Sequence, residues 1–310
     1  MLQTIPSQQW PGSLSRYSME QWHADLKEYD VEDTSTPTMR IQLLGTFQLV
    51  LQDTPVTGIE LPRLRSLLAY LALHRGTPLS RSYLASLFWP ESTDAQAHTN
   101  LRNLIHKLRQ SFPGKGKVDT FIRTDWHMIQ WQPTAPWTLD TLDFEQAITR
   151  AEQARLIQDI AAEKQALEEA VSLYRGELLP GCYDEWILLE RDRLQQAYLG
   201  TLERLIDLLK NVRDYPAAIS IAHHLLRHDP LHESAYRRLM QLYASSGNRA
   251  AALRTYQNCI VVLERELGVE PSAATQALYD QLVHVEESKR LTSPLIFDSV
   301  VYSNRIAGTA

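Results

Sequence analysis

Cysteine is scarce in this 310-residue sequence, which contains only Cys182 and Cys259. Two thiols so far apart fit reduced side chains in a cytosol better than a disulfide framework, so we expect a cytoplasmic protein. No stretch approaches the roughly 18 consecutive apolar residues of a membrane-spanning helix, so we expect no membrane partner. The N-terminus also lacks a basic segment followed by an apolar run, which is the pattern of a secretory signal.

The sequence also lacks the motifs of common catalytic and metal sites. No Ser or Cys lies in a nucleophile-elbow context, and the Lys-Gly-Lys run at 115–117 lacks the frame of a phosphate-binding loop. Four histidines fall between His223 and His232, but Asp229-Pro230 interrupts them and no cysteine is near, so we expect no zinc site. We therefore expect neither an enzyme nor a cofactor.

The net charge of −6 is unevenly distributed along the chain. Residues 39–132 contain 11 Lys or Arg against 6 Asp or Glu, a net +5. Residues 133–310 contain 18 against 25, a net −7, and residues 1–38 contain 2 against 6, a net −4. A basic module beside an acidic one is typical of a nucleic-acid-binding protein whose second part faces protein partners.

The segment from Asp94 to Phe112 contains no acidic residue after its first position. Its apolar residues predict a helix, with Asp94 as N-cap and one buried stripe of Leu101, Leu104, Ile105, Leu108 and Phe112. The opposite face carries Thr99, Arg102, Asn103, His106 and Gln110, with Asn100, Lys107 and Arg109 on its flanks. Side chains of these types hydrogen-bond base edges or neutralise phosphates. For this helix alone, a solvated helix that happens to be basic remains the alternative.

Two more helices are predicted before this one. Pro62 begins the first, which stops near Gly76, and Ser80 is expected to cap the second, from Arg81 to Trp89. Helices joined by a tight turn form a helix-turn-helix, in which one helix braces the other in the DNA major groove.

Short β-like runs lie on both sides of the three helices. Arg40 to Leu51 predicts a strand bent at Gly45, and Pro55 to Leu61 predicts a second strand. Phe121 to Thr124 and Met128 to Trp131 predict a hairpin directly after the basic helix. A hairpin in that position is a wing, which reaches the neighbouring minor groove or the DNA backbone.

From residue 142 onward the sequence predicts helices and a repeat. Helices are expected over Asp143 to Leu156, Ile157 to Tyr174, Tyr183 to Asn211 and Ala250 to Leu267. Ala218 and Ala252 are 34 residues apart, as are Leu205 and Leu239. This is the tetratricopeptide period. The predicted fold class is mainly α with a small β part: an N-terminal winged helix-turn-helix and a C-terminal tetratricopeptide-like helical repeat domain.

Motifs in both halves resemble those of a known family. Three segments resemble the winged helix of OmpR-type regulators: RIQLLGTFQLVLQDTPV, LPRLRSLLAYLALHRGTPLSRSYLASLFWP and TNLRNLIHKLR. Three later segments resemble the bacterial transcriptional activation domain: LYRGELLPG, DEWILLERDRL and ELGVEP. In this order they resemble the antibiotic-regulatory-type (SARP) bacterial activators. The resemblance implies a winged helix at 39–136 and an activation domain at 142–288. Residues 1–38 contain several Pro, Ser and Thr, which predict a mostly flexible tail, and residues 289–310 are expected to be a tail or the start of a further region.

The favoured function is a sequence-specific DNA-binding activator of transcription. We expect four side chains to enter the major groove: Asn100, Arg102, Asn103 and His106. Contacts mainly to the DNA backbone are expected from Thr99, Lys107, Arg109, Ser80, Arg81 and Arg123. The family resemblance further implies that Pro90, Glu91, Ser92 and Thr93 face RNA polymerase. It also implies binding to direct repeats as a homodimer, with the repeat domain supporting dimer contacts or activation.

The alternative function is a protein-interaction scaffold of the tetratricopeptide type, whose winged helix no longer reads DNA. It is favoured by His127-Met128, which stands where the resembled family usually has a Gly-Tyr pair in the wing. Trp126, at the expected wing tip, has two interpretations. It either packs on DNA sugars or folds back onto its own domain.

Overall fold

The computed structural model describes residues 39–112 and 117–292. The tail predicted for residues 1–38 lies outside these residues, as does most of the one predicted for 289–310. The described chain is mainly α with a small β part, as predicted: helices dominate, and short strands form two small sheets. None of the described helices is both long enough and apolar enough to cross a bilayer.

The N-terminal sheet begins with a hairpin rather than with one bent strand. It contains β1 (Met39–Gln42), β2 (Gln48–Leu51) and β3 (Thr54–Pro55), in antiparallel pairs. The single strand predicted from Arg40 to Leu51 is therefore wrong. The strand predicted to continue to Leu61 is wrong as well, because the pairing ends at Pro55. Gly45 lies in the turn between β1 and β2 with a φ of 83°, a left-handed conformation that glycine adopts without a Cβ clash.

Three helices and a short strand follow: α1 (Pro62–Leu73), β4 (Leu79–Ser80), α2 (Arg81–Phe88) and α3 (Asp94–Ser111). Ser80 caps α2 as predicted, and its Oγ accepts a hydrogen bond from the Tyr83 N–H at 3.4 Å. The predicted cap of α3 is wrong. Thr93 is the N-cap, and its Oγ1 accepts from the Gln96 N–H at 3.4 Å. Asp94 lies in the first turn instead, where its carboxylate faces the positive end of the helix dipole.

The wing is a hairpin preceded by a short helix that the sequence did not indicate. The elements are α4 (Lys117–Phe121), β5 (Ile122–Thr124) and β6 (Met128–Trp131). Strand β6 pairs with both β5 and β4, which attaches the wing to the start of α2. Strand β7 (Trp137–Leu139) then pairs in parallel with β1. The residues at 137–141, between the two expected domains, therefore belong to the sheet and to the next helix.

The second half of the described chain is helical. Its helices are α5 (Asp140–Leu156), α6 (Ile160–Leu173), α7 (Glu185–Asn211), α8 (Tyr215–His228), α9 (Glu233–Ser245), α10 (Arg249–Leu267) and α11 (Ala273–Thr292). The predicted helices have the right order and differ from these bounds by a few residues at most. Gly268 ends α10 in a left-handed conformation with a φ of 67°, which is where the sequence predicted the helix to stop.

The 34-residue spacing corresponds to equivalent positions in the helical packing. Ala218 and Ala252 are fully buried, and Leu205 and Leu239 are at most 2% exposed. Asp214 and Asn248 are also 34 residues apart, and each caps the helix that follows it, with a side-chain oxygen 3.2 Å from a backbone N–H. The same cap and the same buried alanine therefore recur in successive helical hairpins.

The winged helix and the helical half share one hydrophobic core. Asp140, at the start of α5, accepts hydrogen bonds from the backbone N–H groups of Leu43 and Leu44 at 2.8–2.9 Å. The Gly45 N–H donates to the Glu177 carbonyl at 3.0 Å. A Cβ on Gly45 would lie 2.8 Å from the carbonyl oxygen of Arg175, so only glycine allows this approach. The turn after β1 is therefore fixed against the helical half.

A second contact joins α1 to the start of α7. Asp184, the N-cap of α7, accepts a hydrogen bond from the Ser66 hydroxyl and forms an ion pair with Arg63. The Trp186 Nε1–H donates to Ser66 Oγ at 3.3 Å, and the indole ring meets Tyr70 edge to face at 5.0 Å. Polar and aromatic contacts thus hold α7 against the helix that packs behind α3.

The Asp140 contact predicts the effect of a single substitution. We expect Asp140→Ala to lower the free energy of unfolding by roughly 1–3 kcal/mol, because two buried backbone N–H groups lose their acceptor. Urea unfolding followed by circular dichroism measures this change. Asp143→Ala is the control, since within the described residues its carboxylate accepts no backbone hydrogen bond. Equal losses in the two variants would contradict the proposed contact.

The same carboxyl group predicts a pH dependence. Burial raises the pKa of Asp140 from 3.8 to about 6, against the opposing effect of its hydrogen bonds to the backbone. The folded protein therefore binds a proton more tightly than the unfolded chain between these two values. We expect the contribution of Asp140 to stability to be largest below the lower value and to decrease as the pH rises to about 6. Unfolding curves of Asp140→Asn measured across this range should lack that decrease.

Candidate nucleic-acid interface

The polar face of α3 points to solvent because its apolar stripe is buried. Leu101, Leu104, Ile105 and Leu108 are at most 6% exposed. Arg102, Asn103 and His106 are exposed, and α3 contains no acidic residue beyond Asp94 in its first turn. The exposed surface of this helix is therefore built from cations, amides and an imidazole.

Several polar side chains of α3 are held by neighbours on the same helix. The Thr99 hydroxyl donates to the backbone of the preceding turn at 2.9 Å. Asn100 Oδ1 accepts from Gln96 Nε2 at 2.9 Å, and His106 and Gln110 pair through their Nε2 atoms at 2.9 Å. These local, exposed hydrogen bonds orient the side chains, and a ligand can replace them at little cost.

Arg81, at the start of α2, lies close enough to Arg102 and Arg109 of α3 for their positive charges to act on it. Burial lowers the pKa of Arg81, and the positive charges of Arg102 and Arg109 lower it further. Arg109 is partly compensated, since it pairs with Asp119 at 3.3 Å and donates to the Thr124 hydroxyl. Mutually repelling guanidinium groups favour a phosphate, which would relieve the repulsion.

Ser80 and Arg81 connect the start of α2 to the wing. Ser80 is half-buried, and its hydroxyl oxygen is already used as the cap of α2. The Arg81 N–H donates to the His127 carbonyl at 2.8 Å, and its guanidinium donates to the Asp125 carbonyl at 3.1 Å. Arg123 is exposed on β5. The start of α2 and the wing are therefore positioned together.

Asp125 builds the wing turn without a glycine. Its Oδ1 accepts from the backbone N–H groups of Met128 at 2.7 Å and His127 at 2.8 Å, and these bonds lower the pKa of the carboxyl group. The His127-Met128 pair is thus compatible with a closed hairpin. Trp126, at the tip, is 94% exposed, so the interpretation that it folds back onto its domain is wrong.

A groove of about 460 Å³ runs along one flank of α3. Its lining combines polar side chains of α3 with the start of α1 and the end of α2: Leu61, Pro62, Arg63, Trp89, Asn100, Asn103, Leu104 and Lys107. Sequence reasoning did not single out Arg63 as a site residue. No local pattern marks it, because only the packing of α1 beside α3 brings its side chain to the same groove as Asn103 and Lys107.

The loop between α2 and α3 is short and mostly exposed. Pro90, Glu91 and Thr93 are exposed, whereas Ser92 is half-buried and donates from its backbone to the Trp89 carbonyl at 3.1 Å. Since Thr93 also caps α3, the loop is fixed relative to that helix.

The histidines of the helical half are engaged by neighbouring side chains. His224 contacts the Tyr198 hydroxyl at 2.6 Å, and His232 contacts Glu203 at 2.9 Å. Residues 39–112 and 117–292 contain no cluster of three or more His, Cys, Asp or Glu side chains arranged to hold a metal ion.

Two family descriptions match the chain. "Transcriptional regulatory protein, C terminal" matches residues 60–128, and "Bacterial transcriptional activator domain" matches residues 139–283. The Streptomyces coelicolor regulatory protein AfsR is 26% identical over 83% of this chain and 25% of its own length. The Streptomyces peucetius regulatory protein DnrI is 25% identical over 80% of this chain and 93% of its own length. The chain thus spans about a quarter of AfsR and nearly all of DnrI.

A solved structure agrees with the fold. Mycobacterium tuberculosis EmbR, in complex with a low affinity phosphopeptide, matches with a TM-score of 0.68 over 83% of this chain and 69% of that chain, at 20% identity. A winged helix followed by a helical activator domain defines a class of bacterial transcriptional regulators. Within that class, the chain is similar to the antibiotic-regulatory-type (SARP) regulators in its two domains, in their order and in its relatives AfsR and DnrI.

The wing turn predicts a local effect of Asp125→Ala. We expect amide hydrogen exchange at His127 and Met128 to become about tenfold faster, because both N–H groups lose a charged acceptor. Asp125→Asn is the matched control, since its amide oxygen still accepts from the same groups. Because these bonds lower the pKa of Asp125, the protection should persist as the pH falls through the ordinary aspartate range. Unchanged exchange in Asp125→Ala would show that the turn does not depend on this carboxylate.

Proposed function

We propose that the chain is a sequence-specific DNA-binding transcriptional activator that places α3 in the major groove. The observation that carries this proposal is the exposed face of α3, where Arg102, Asn103 and His106 point away from the core and no carboxylate lies among them. The matches to two domains of transcriptional regulators support the same function.

The side chains of this surface fit two kinds of DNA contact. Base contacts are assigned to Asn100, Arg102, Asn103 and His106, whose amide, guanidinium and imidazole groups match base edges. Backbone contacts are assigned to Thr99, Lys107, Arg109, Ser80, Arg81 and Arg123. The positive charges of Arg102 and Arg109 that act on Arg81 support a phosphate near Arg81. Trp126 extends the surface, because an exposed indole at a wing tip can pack on deoxyribose.

Protein partners are the less direct part of the proposal. RNA polymerase is assigned to the loop of Pro90, Glu91, Ser92 and Thr93, which is exposed and fixed against α3. Binding as a homodimer on direct repeats follows from the family resemblance alone. The proposed division is a winged helix at 39–136 and an activation domain at 142–288. Dimer contacts or activation are assigned to the second of these.

The scaffold alternative loses its main support once the wing is considered. It depended on the His127-Met128 pair, and Asp125 closes the hairpin in spite of that pair. A scaffold would also give no reason for α3 to present cations and amides with no acid beyond Asp94 in its first turn. DNA binding is therefore the function that the surface favours.

Two substitutions on α3 separate base contacts from backbone contacts. We expect Arg102→Ala to weaken binding to a selected DNA site by roughly 5- to 150-fold and to relax specificity at one position, since it removes about 1–3 kcal/mol of base recognition. We expect Lys107→Ala to weaken all sequences alike and to reduce the slope of log affinity against log salt by about 1. Titrations of the full chain with selected and random duplexes at several salt concentrations measure both effects.

Arg254→Ala is the matched control, because it removes an exposed cation from the helical half, on α10. It should leave DNA affinity within about twofold of the wild type. If the wild-type chain binds no duplex even at low salt, the scaffold function replaces the proposed one.

A further inference from the structure

We propose that Arg63 is a further DNA-backbone contact and that Asp184, from the helical half, competes with phosphate for it. The helical half would thereby lower the affinity of the winged helix for DNA until a phosphate displaces the carboxylate. This inference rests on the proposed DNA-binding function and adds to it a residue and a means of regulation.

The position of Arg63 supports a contact beside the recognition helix. It lies in the first turn of α1 and lines the same groove as Asn103 and Lys107 of α3. Two cations and two amides therefore border one groove that opens along the flank of α3. A DNA strand that passes α3 on this side would meet Lys107 and Arg63 together.

The ion pair with Asp184 leaves Arg63 able to change partner. The Arg63 side chain is 46% exposed, and only its Nη1 atom donates to Asp184. Because the guanidinium is half exposed and makes a single hydrogen bond to Asp184, salt and water weaken this ion pair. A phosphodiester offers the guanidinium two oxygens in the parallel geometry that arginine prefers.

The Asp184 carboxylate keeps other hydrogen-bond donors when Arg63 turns away from it. Its side chain is 19% exposed, and its Oδ2 atom accepts from the Ser66 hydroxyl and lies 3.5 Å from the Cys182 thiol. The release of Arg63 therefore does not leave a half-buried carboxylate without a partner. The contact between α1 and α7 persists through Ser66 and Trp186 while Arg63 turns toward DNA.

The competition has a consequence for the two halves of the protein. A partner or a dimer contact that shifts α7 relative to α1 would move Asp184 and free Arg63. DNA affinity would then respond to an event in the helical half without any change in α3. Conversely, DNA binding would weaken one of the contacts between α1 and α7.

Five variants of the whole chain test this inference with a random-sequence duplex, in which phosphate contacts dominate. Asp184→Asn keeps an acceptor for Ser66 and removes the charge that competes for Arg63. Arg63→Gln removes the cation, and the double variant tests whether the two effects are coupled. Asp53→Asn is the matched control, since it makes the same charge change in the exposed Arg40–Asp53 pair of the N-terminal sheet.

We expect Asp184→Asn to bind the duplex roughly 3- to 10-fold more tightly at low salt, because Arg63 no longer has to leave a carboxylate before it contacts a phosphate. Arg63→Gln should bind roughly 3- to 10-fold more weakly, with a salt slope smaller by about 1. In the Arg63→Gln background, Asp184→Asn should change the affinity by less than about twofold. Asp53→Asn should resemble the wild type. Arg63→Lys should keep the salt slope, which separates a lost contact from a lost fold.

Two results would overturn the inference. One is an equal gain in affinity from Asp184→Asn with and without Arg63, which would mean a general charge effect. The other is an unchanged salt slope in Arg63→Gln, which would mean that Arg63 touches no phosphate. In either case wild-type DNA binding remains, so this failure is distinct from failure of the proposed function, in which the wild-type chain itself binds no DNA.

Discussion

The burial of one apolar stripe on α3 decides where every polar side chain of that helix points. Leu101, Leu104, Ile105 and Leu108 recur on a single face, so only one rotation of the helix about its axis buries them all. A rotation by one residue would bury Arg102 or Asn103 against the core without a partner, which is costly. The exposed cationic face is thus a consequence of packing. The remaining elements of the winged helix maintain that packing.

The packing of α3 depends in turn on the helical half. Helix α1 packs against α3, and its own Ser66 contacts Asp184 and Trp186 at the start of α7. Asp140, at the start of α5, holds the N-terminal sheet, because it accepts from Leu43 and Leu44 directly after β1. Because these contacts are polar and specific, the two halves have one preferred arrangement. A small displacement of the helical half would therefore change the contacts that α1 makes with α7.

Local patterns in the sequence predicted the elements whose cause is local. The rotation of α3 and the cap at Ser80 depend on residues close together in the chain, and the repeat is visible because equivalent residues recur 34 positions apart. The hairpin at Gly45 was missed, because alternating residues look the same in one bent strand and in two paired ones. The reason for the turn lies at Arg175 and Glu177, which are distant in the sequence. The cap of α3 was misplaced because Thr93 and Asp94 are adjacent and both are residues that cap helices well.

In the candidate interface, too, some residues could be predicted from local sequence and others could not. The residues on α3 were predictable, since helical periodicity places them, whereas Arg63 was not, since its neighbours Asn103 and Asp184 come from two other segments. Asp184 also illustrates why the winged helix cannot be understood by itself. One carboxylate receives the Ser66 hydroxyl, which fixes α7 to α1, and the Arg63 guanidinium, which borders the groove beside α3. The attachment of the helical half and the positive charge on the flank of α3 are therefore linked through a single side chain.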